Sequence, residues 1–98
     1  MTKKIGLQVN GAPISLDYFV QAFIDHTVSG MLESLENTEP IAHLNLSIDG
    51  DKVDIMLNGK PVSANKFVGR IMKSTIFGMV SPLKGVSQIS NVRIEITR

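Results

Sequence analysis

No cysteine occurs among the 98 residues. That excludes disulfides, thiolate zinc sites and cysteine nucleophiles outright, and it suits a reducing compartment such as the cytoplasm. Long apolar runs are missing too: no stretch approaches the roughly 18 uninterrupted apolar residues of a membrane span. The opening MTKKIGLQVNG carries two lysines but no long apolar run and no small-residue cleavage site, so no signal peptide is expected. An excess of one charge is also lacking. Ten Lys and Arg stand against nine Asp and Glu, leaving no overall field to steer the chain to nucleic acid or a membrane. None of the patterns GxxxxGK[ST], GxSxG or HExxH appears, and no low-complexity segment interrupts a length that fits one domain, 1–98.

What is present is a phrase written twice. Residues 8–35, QVNGAPISLDYFVQAFIDHTVSGMLESL, return 48 positions later as MLNGKPVSANKFVGRIMKSTIFGMVSPL. The register extends without a gap from 4–50 over 52–98. Identities include Asn10/Asn58, Gly11/Gly59, Pro13/Pro61, Ser15/Ser63, Phe19/Phe67, Gly30/Gly78 and Ile48/Ile96, and apolar positions match more widely. One register held over such a length marks an internal duplication.

Each copy begins and ends with two-residue alternation. Ile5, Leu7 and Val9 alternate with polar residues, as do Leu44, Leu46 and Ile48, the pattern of half-buried strands. Between them Phe19, Val20, Phe23, Ile24, Thr27, Val28, Met31 and Leu35 recur at three and four residues, the period of a helix. The unit is strand–helix–strand, so the chain reads βαββαβ. Strands are expected near 3–10, 41–49, 52–58 and 89–97, and helices near 15–37 and 63–81, with Pro82 ending the second helix. Gly50-Asp51 fits a two-residue hairpin loop between the copies. All four strands alternate, so one sheet face meets water. These features together predict an α+β, ferredoxin-like split βαβ fold: a four-stranded antiparallel sheet of order 4-1-3-2 with both helices on one face.

The repeated NGxPxS reads as a device for starting a helix. Asn and Gly supply positive φ for leaving the strand, proline stops its continuation, and Ser15 and Ser63 suit the N-cap position. Ile14 with Phe19, and Val62 with Phe67, fit a hydrophobic staple. In the second copy Asn58, Gly59, Lys60 and Ser63 form a weak candidate anion site at a helix N-terminus. Gly30 and Gly78, inside the helices, point to a close helix–helix approach.

The copies part company in charge. Residues 12–40 hold Asp17, Asp25, Glu33, Glu36 and Glu39 and no Lys or Arg; residues 60–86 hold Lys60, Lys66, Arg70, Lys73 and Lys84 and no Asp or Glu. On a helical wheel Lys66, Arg70, Lys73 and Phe77 gather on one side. A large ring among three cations suits an interface anchor, and the acidic first helix, with Asp25, Glu33 and Glu36, suits it as the partner surface on a second copy. The open sheet face carries no aromatic ring on which RNA bases could stack. His43 and Asp54 could meet diagonally on that face as a proton-carrying couple, but no histidine pair has metal-ligand spacing. The resulting expectation is a small non-enzymatic, cytoplasmic interaction module, homodimeric or bound to another protein through basic helix 2, with no cofactor, metal, membrane or nucleic-acid partner. A metabolite- or anion-binding regulatory domain of the same topology is the alternative, and a small enzyme the third.

Overall fold

Inward-pointing side chains from four strands line up in three rows. The computed structural model of the protein describes residues 4–35 and 39–98. In chain order it holds β1 (Lys4–Val9), β2 (Ala12–Pro13), α1 (Tyr18–Glu33), β3 (His43–Asp49), β4 (Lys52–Leu57), β5 (Lys60–Pro61), α2 (Lys66–Val80) and β6 (Asn91–Thr97). Pairing places Ile5, Ile96, Leu44 and Leu57 in one row across the sheet. Leu7, Ile94, Leu46 and Ile55 form the next, and Val9, Val92, Ile48 and Val53 the third. Against these rows α1 buries Ile24, Val28 and Leu32, and α2 buries Met72, Ile76 and Val80, all in one core. Both helices therefore cover the same face, and the molecule is a two-layer slab 18 Å in its thinnest dimension.

The sheet differs from expectation. It has six antiparallel strands in the order β2-β1-β6-β3-β4-β5, in place of four in the order 4-1-3-2. The two additional strands come from the repeated Asn-Gly, which makes a hairpin. Asn10 and Gly11 lie at φ 54° and 82°, Asn58 and Gly59 at 52° and 82°, the positive pair that a two-residue hairpin turn requires. Val9 then faces Ala12 and Gln8 faces Pro13, as Leu57 faces Lys60 and Met56 faces Pro61. Proline is tolerated here because each arm is an edge strand.

Those arms also explain the changed order. An arm can pair with β1 only if that edge of β1 is free, so β1 and β4 must lie outside β6 and β3. In the expected order both would be central, with no edge to give. Burial agrees: Leu44, Leu46, Ile48, Val92, Ile94 and Ile96 on the central strands are all fully buried, whereas Ile5 and Val53 on the outer strands are only partly so.

Helix boundaries shift as well. The N-caps are Asp17 and Asn65, not Ser15 and Ser63; each side-chain oxygen accepts from the amide three residues on, Val20 or Val68, at 2.8 Å. The helices begin at Tyr18 and Lys66, so the expected staples do not form, and Phe19 and Phe67 turn to solvent. The first helix ends at Glu33 with Ser34 as C-cap, short of 37; Glu36, Asn37 and Lys3 lie outside the described residues. The second ends at Val80, ahead of Pro82. Gly30 and Gly78 do not mediate close packing, since a Cβ added to either meets nothing within 4 Å.

Candidate interaction surface

A helix lying on a sheet buries one side and is expected to show polar groups on the other. Here the other side carries large apolar groups in both helices. Opposite Ile24, Val28 and Leu32, α1 presents Phe19 and Phe23; opposite Met72, Ile76 and Val80, α2 presents Phe67 and Ile71. Phe19 is 70% exposed, Phe67 67%, Phe23 49% and Ile71 47%, and Tyr18 beside them is 88% exposed. The pairs occupy equivalent positions of the repeat, so the stripe is doubled like the fold. The Phe19 and Phe23 rings sit 5.9 Å apart, tilted by 41°. With Ala22, His26 and Thr27 they line a shallow hollow of about 350 Å³.

Charges flank this surface asymmetrically. Among the described residues the exposed charged side chains at the ends of α1 are Asp17, which caps the helix, and Glu33; those in the first turns of α2 are Lys66 and Arg70.

The residues expected to form a partner surface on α2 divide between two environments. Lys66 and Arg70 are exposed. Lys73 and Phe77 turn inward. The Phe77 ring is half-buried against the core and lies 5.4 Å under the Lys73 ammonium. Lys73 also donates to Asp51 at 3.0 Å. That hydrogen bond, followed by the charges of Lys73 and Arg70, holds the Asp51 carboxyl below its ordinary value. The aromatic group facing outward on α2 is Phe67, one stripe round from Phe77.

The four residues of the candidate anion site fall in different settings. Asn58 bridges to the start of β3: its Oδ1 accepts from the amides of Ala42 and His43, both at 2.9 Å, and its Nδ2 donates to the Pro40 carbonyl at 3.0 Å. Gly59 completes the turn. Lys60 lies 3.8 Å from Glu39, and Ser63 is exposed, two residues ahead of the Asn65 cap. Asn10 makes the equivalent clasp on the start of β6, accepting from Ser90 and Asn91 at 2.7 and 3.1 Å and donating to Gln88. On the open sheet face His43 pairs with Thr97, Nδ1 to Oγ1 3.2 Å, while Asp54 stands opposite Ser47. The His43–Asp54 couple that the alternation left open does not form.

One polar cluster had no counterpart in the sequence pattern. Asp25 is buried on α1 and accepts from the Arg98 guanidinium, which also donates to Ser29 Oγ at 2.8 Å. Asp25 and Lys73 are equivalent positions of the repeat with opposite charges. Each is satisfied by a group of opposite sign on the sheet side, so neither contributes its charge to the outer surface. Among the described residues no group of three or more His, Cys, Asp or Glu converges to hold a metal ion, and no helix is long and apolar enough to cross a membrane. No family model, no curated protein and no solved structure matches this chain.

Proposed function

We propose that this chain is a small, non-enzymatic protein-interaction module of the cytoplasm whose contact surface is the solvent side of its helix layer. The observation that carries the reading is the pair of outward stripes, Phe19 with Phe23 and Phe67 with Ile71. Single exposed apolar residues are commonplace. Four large ones recur here at equivalent positions near the N-terminal ends of two antiparallel helices, and a clustered exposed apolar pair on each is the kind of feature that marks a contact site. Aromatic anchors with cations at the rim are the usual composition of interface centres. Lys66 and Arg70 supply such a rim, so the basic second helix stays part of the surface with Phe67 in the anchoring place.

The test maps the surface inside cells without presuming the partner. A photoreactive phenylalanine analogue is placed at Phe19, Phe67, Ser47 or Arg93 in turn, and crosslinked species are sequenced. The module binds through its helices if a defined protein is captured from positions 19 and 67 and not from 47 and 93. Capture from the sheet positions alone, or from none, overturns the reading.

A further inference from the structure

We propose that the partner is a second copy of this chain, docked helix layer to helix layer so that α1 of each copy lies on α2 of the other. This rests on the helix face being the interaction surface.

Area comes first. An aromatic side chain offers about 150–250 Å², so the exposed parts of Tyr18, Phe19, Phe23 and Phe67 supply roughly 550 Å². A stable dimer buries about 800 Å² on each partner. The aromatic stripes alone provide most of that, and Ile71, Ala22 and the flanking charged stems are available for the rest.

Symmetry then leaves two ways to stack the layers. The two helices run antiparallel, because β1 and β4, on which they start, are antiparallel to one another through the intervening strands. A twofold axis lying along the helix direction sets α1 on α2 of the other copy. An axis across the helices sets α1 on α1 and α2 on α2. Both arrangements bury the same apolar stripes, so apolar area does not choose between them.

Charge chooses. The helices are antiparallel, so crossed stacking lays the C-terminal end of α1 over the N-terminal end of α2. That sets Glu33 near Lys66 and Arg70, all of them exposed, twice by symmetry. Stacking like helices sets Glu33 near Asp17 of the other copy, acid on acid. Exposed pairs contribute little singly, but like-charge juxtaposition is costly and fixes register.

The absence of cysteine makes the test direct. His26 and Ser74 occupy equivalent, exposed, mid-helix positions on the two stripes. Single variants His26→Cys and Ser74→Cys, one of them isotope-labelled, are mixed and oxidised mildly. Crossed helices give predominantly the 26-to-74 disulfide between copies; like-on-like stacking gives 26-to-26 and 74-to-74 and overturns the arrangement. Sedimentation of the cysteine-free chain supplies the second readout. A dimer is expected whose Kd rises at least about tenfold on Phe67→Ser, and again on the double change Lys66→Glu with Arg70→Glu, with circular dichroism unchanged. Added salt should also weaken it, since rim charges are screened over roughly 10 Å at 0.1 M. A dimer indifferent to Phe67→Ser overturns docking through this face. A chain that stays monomeric at about 100 µM and low salt, a concentration at which even weak Kd values register, overturns self-association. In that event crosslinks from positions 19 and 67 to a different protein leave the interaction surface standing, and their absence removes it too.

Discussion

Asn10 and Asn58 sit at φ near +50°, where most side chains are strained and asparagine is among the few tolerated. Each side chain offsets that cost by gripping the start of a central strand: Asn58 holds the backbone of Pro40, Ala42 and His43, and Asn10 that of Gln88, Ser90 and Asn91. Each clasp reaches into the other copy of the repeat, so the phrase NG is written twice because two strand starts need holding. Its reading as a helix-start device captured the positive φ but not the grip, because the target lies 15 or more residues away in sequence and only the folded register brings it near. The two contributions can be separated. Asn58→Gly keeps the backbone conformation and loses the clasp, and it is expected to cost about 1–3 kcal/mol for partly exposed hydrogen bonds. Asn58→Ala loses both and should cost roughly 1 kcal/mol more. Denaturant unfolding of the two variants checks this. A glycine variant as stable as the parent would show that the clasp contributes nothing.

At the scale of the element, the helices were legible in period and illegible in orientation. Apolar residues recur through α1 on every side: Val20, Ile24 and Val28 at one azimuth, Phe19 and Phe23 at another. Period alone does not say which set is buried. The answer turns on where the helix starts. A cap at Asp17 or Asn65 in place of Ser15 or Ser63 puts the first phenylalanine at the second helical position, outside the staple geometry, and leaves it facing water. The second apolar set was itself the available signal, since an ordinary surface helix carries one apolar stripe and polar residues opposite it. Gly30 and Gly78 lie on the outer face and touch nothing. Glycine within a helix costs about 1 kcal/mol relative to alanine, and no neighbour opposes the added methyl. Gly30→Ala and Gly78→Ala should therefore each stabilise the dilute, unassociated chain by up to about 1 kcal/mol, raising Tm by about 4–8 °C per kcal/mol for a domain of this size. Thermal unfolding at low micromolar concentration measures it. A destabilised alanine variant under those conditions would mean that something within the monomer packs on the glycine after all.

Across the whole molecule, a duplicated strand–helix–strand unit closes into a sheet in more than one way. Placing the first strand of each copy at the centre gives 4-1-3-2; placing the last strand there gives the observed sequence of long strands, β1-β6-β3-β4. Both are symmetric under the twofold that the repeat implies, and both make every neighbour antiparallel, so the repeat and the alternation leave the choice open. The Asn-Gly arms decide it by demanding a free edge on β1 and β4. That demand was present in the sequence once Asn-Gly is taken as a hairpin. The order has a consequence that hydrogen exchange can read residue by residue. Amides exchanging only through global unfolding belong to strands flanked on both sides. Those are β3 and β6, where the inward residues Leu44, Leu46, Ile48, Val92, Ile94 and Ile96 are fully buried. The slowest amides should therefore fall within 44–48 and 92–96, at free energies within about 1 kcal/mol of the global value. Residues 4–6 and 52–54 lie beyond the reach of the two-residue arms, so those of their amides that face the free edge should exchange through local opening, faster by orders of magnitude. The order 4-1-3-2 inverts the pattern, with β1 and β4 slowest and β3 and β6 frayed at the margins. Protection concentrated in 4–9 and 52–57 would refute the sheet described here, and with it the requirement that the repeated Asn-Gly fold back on its own strand.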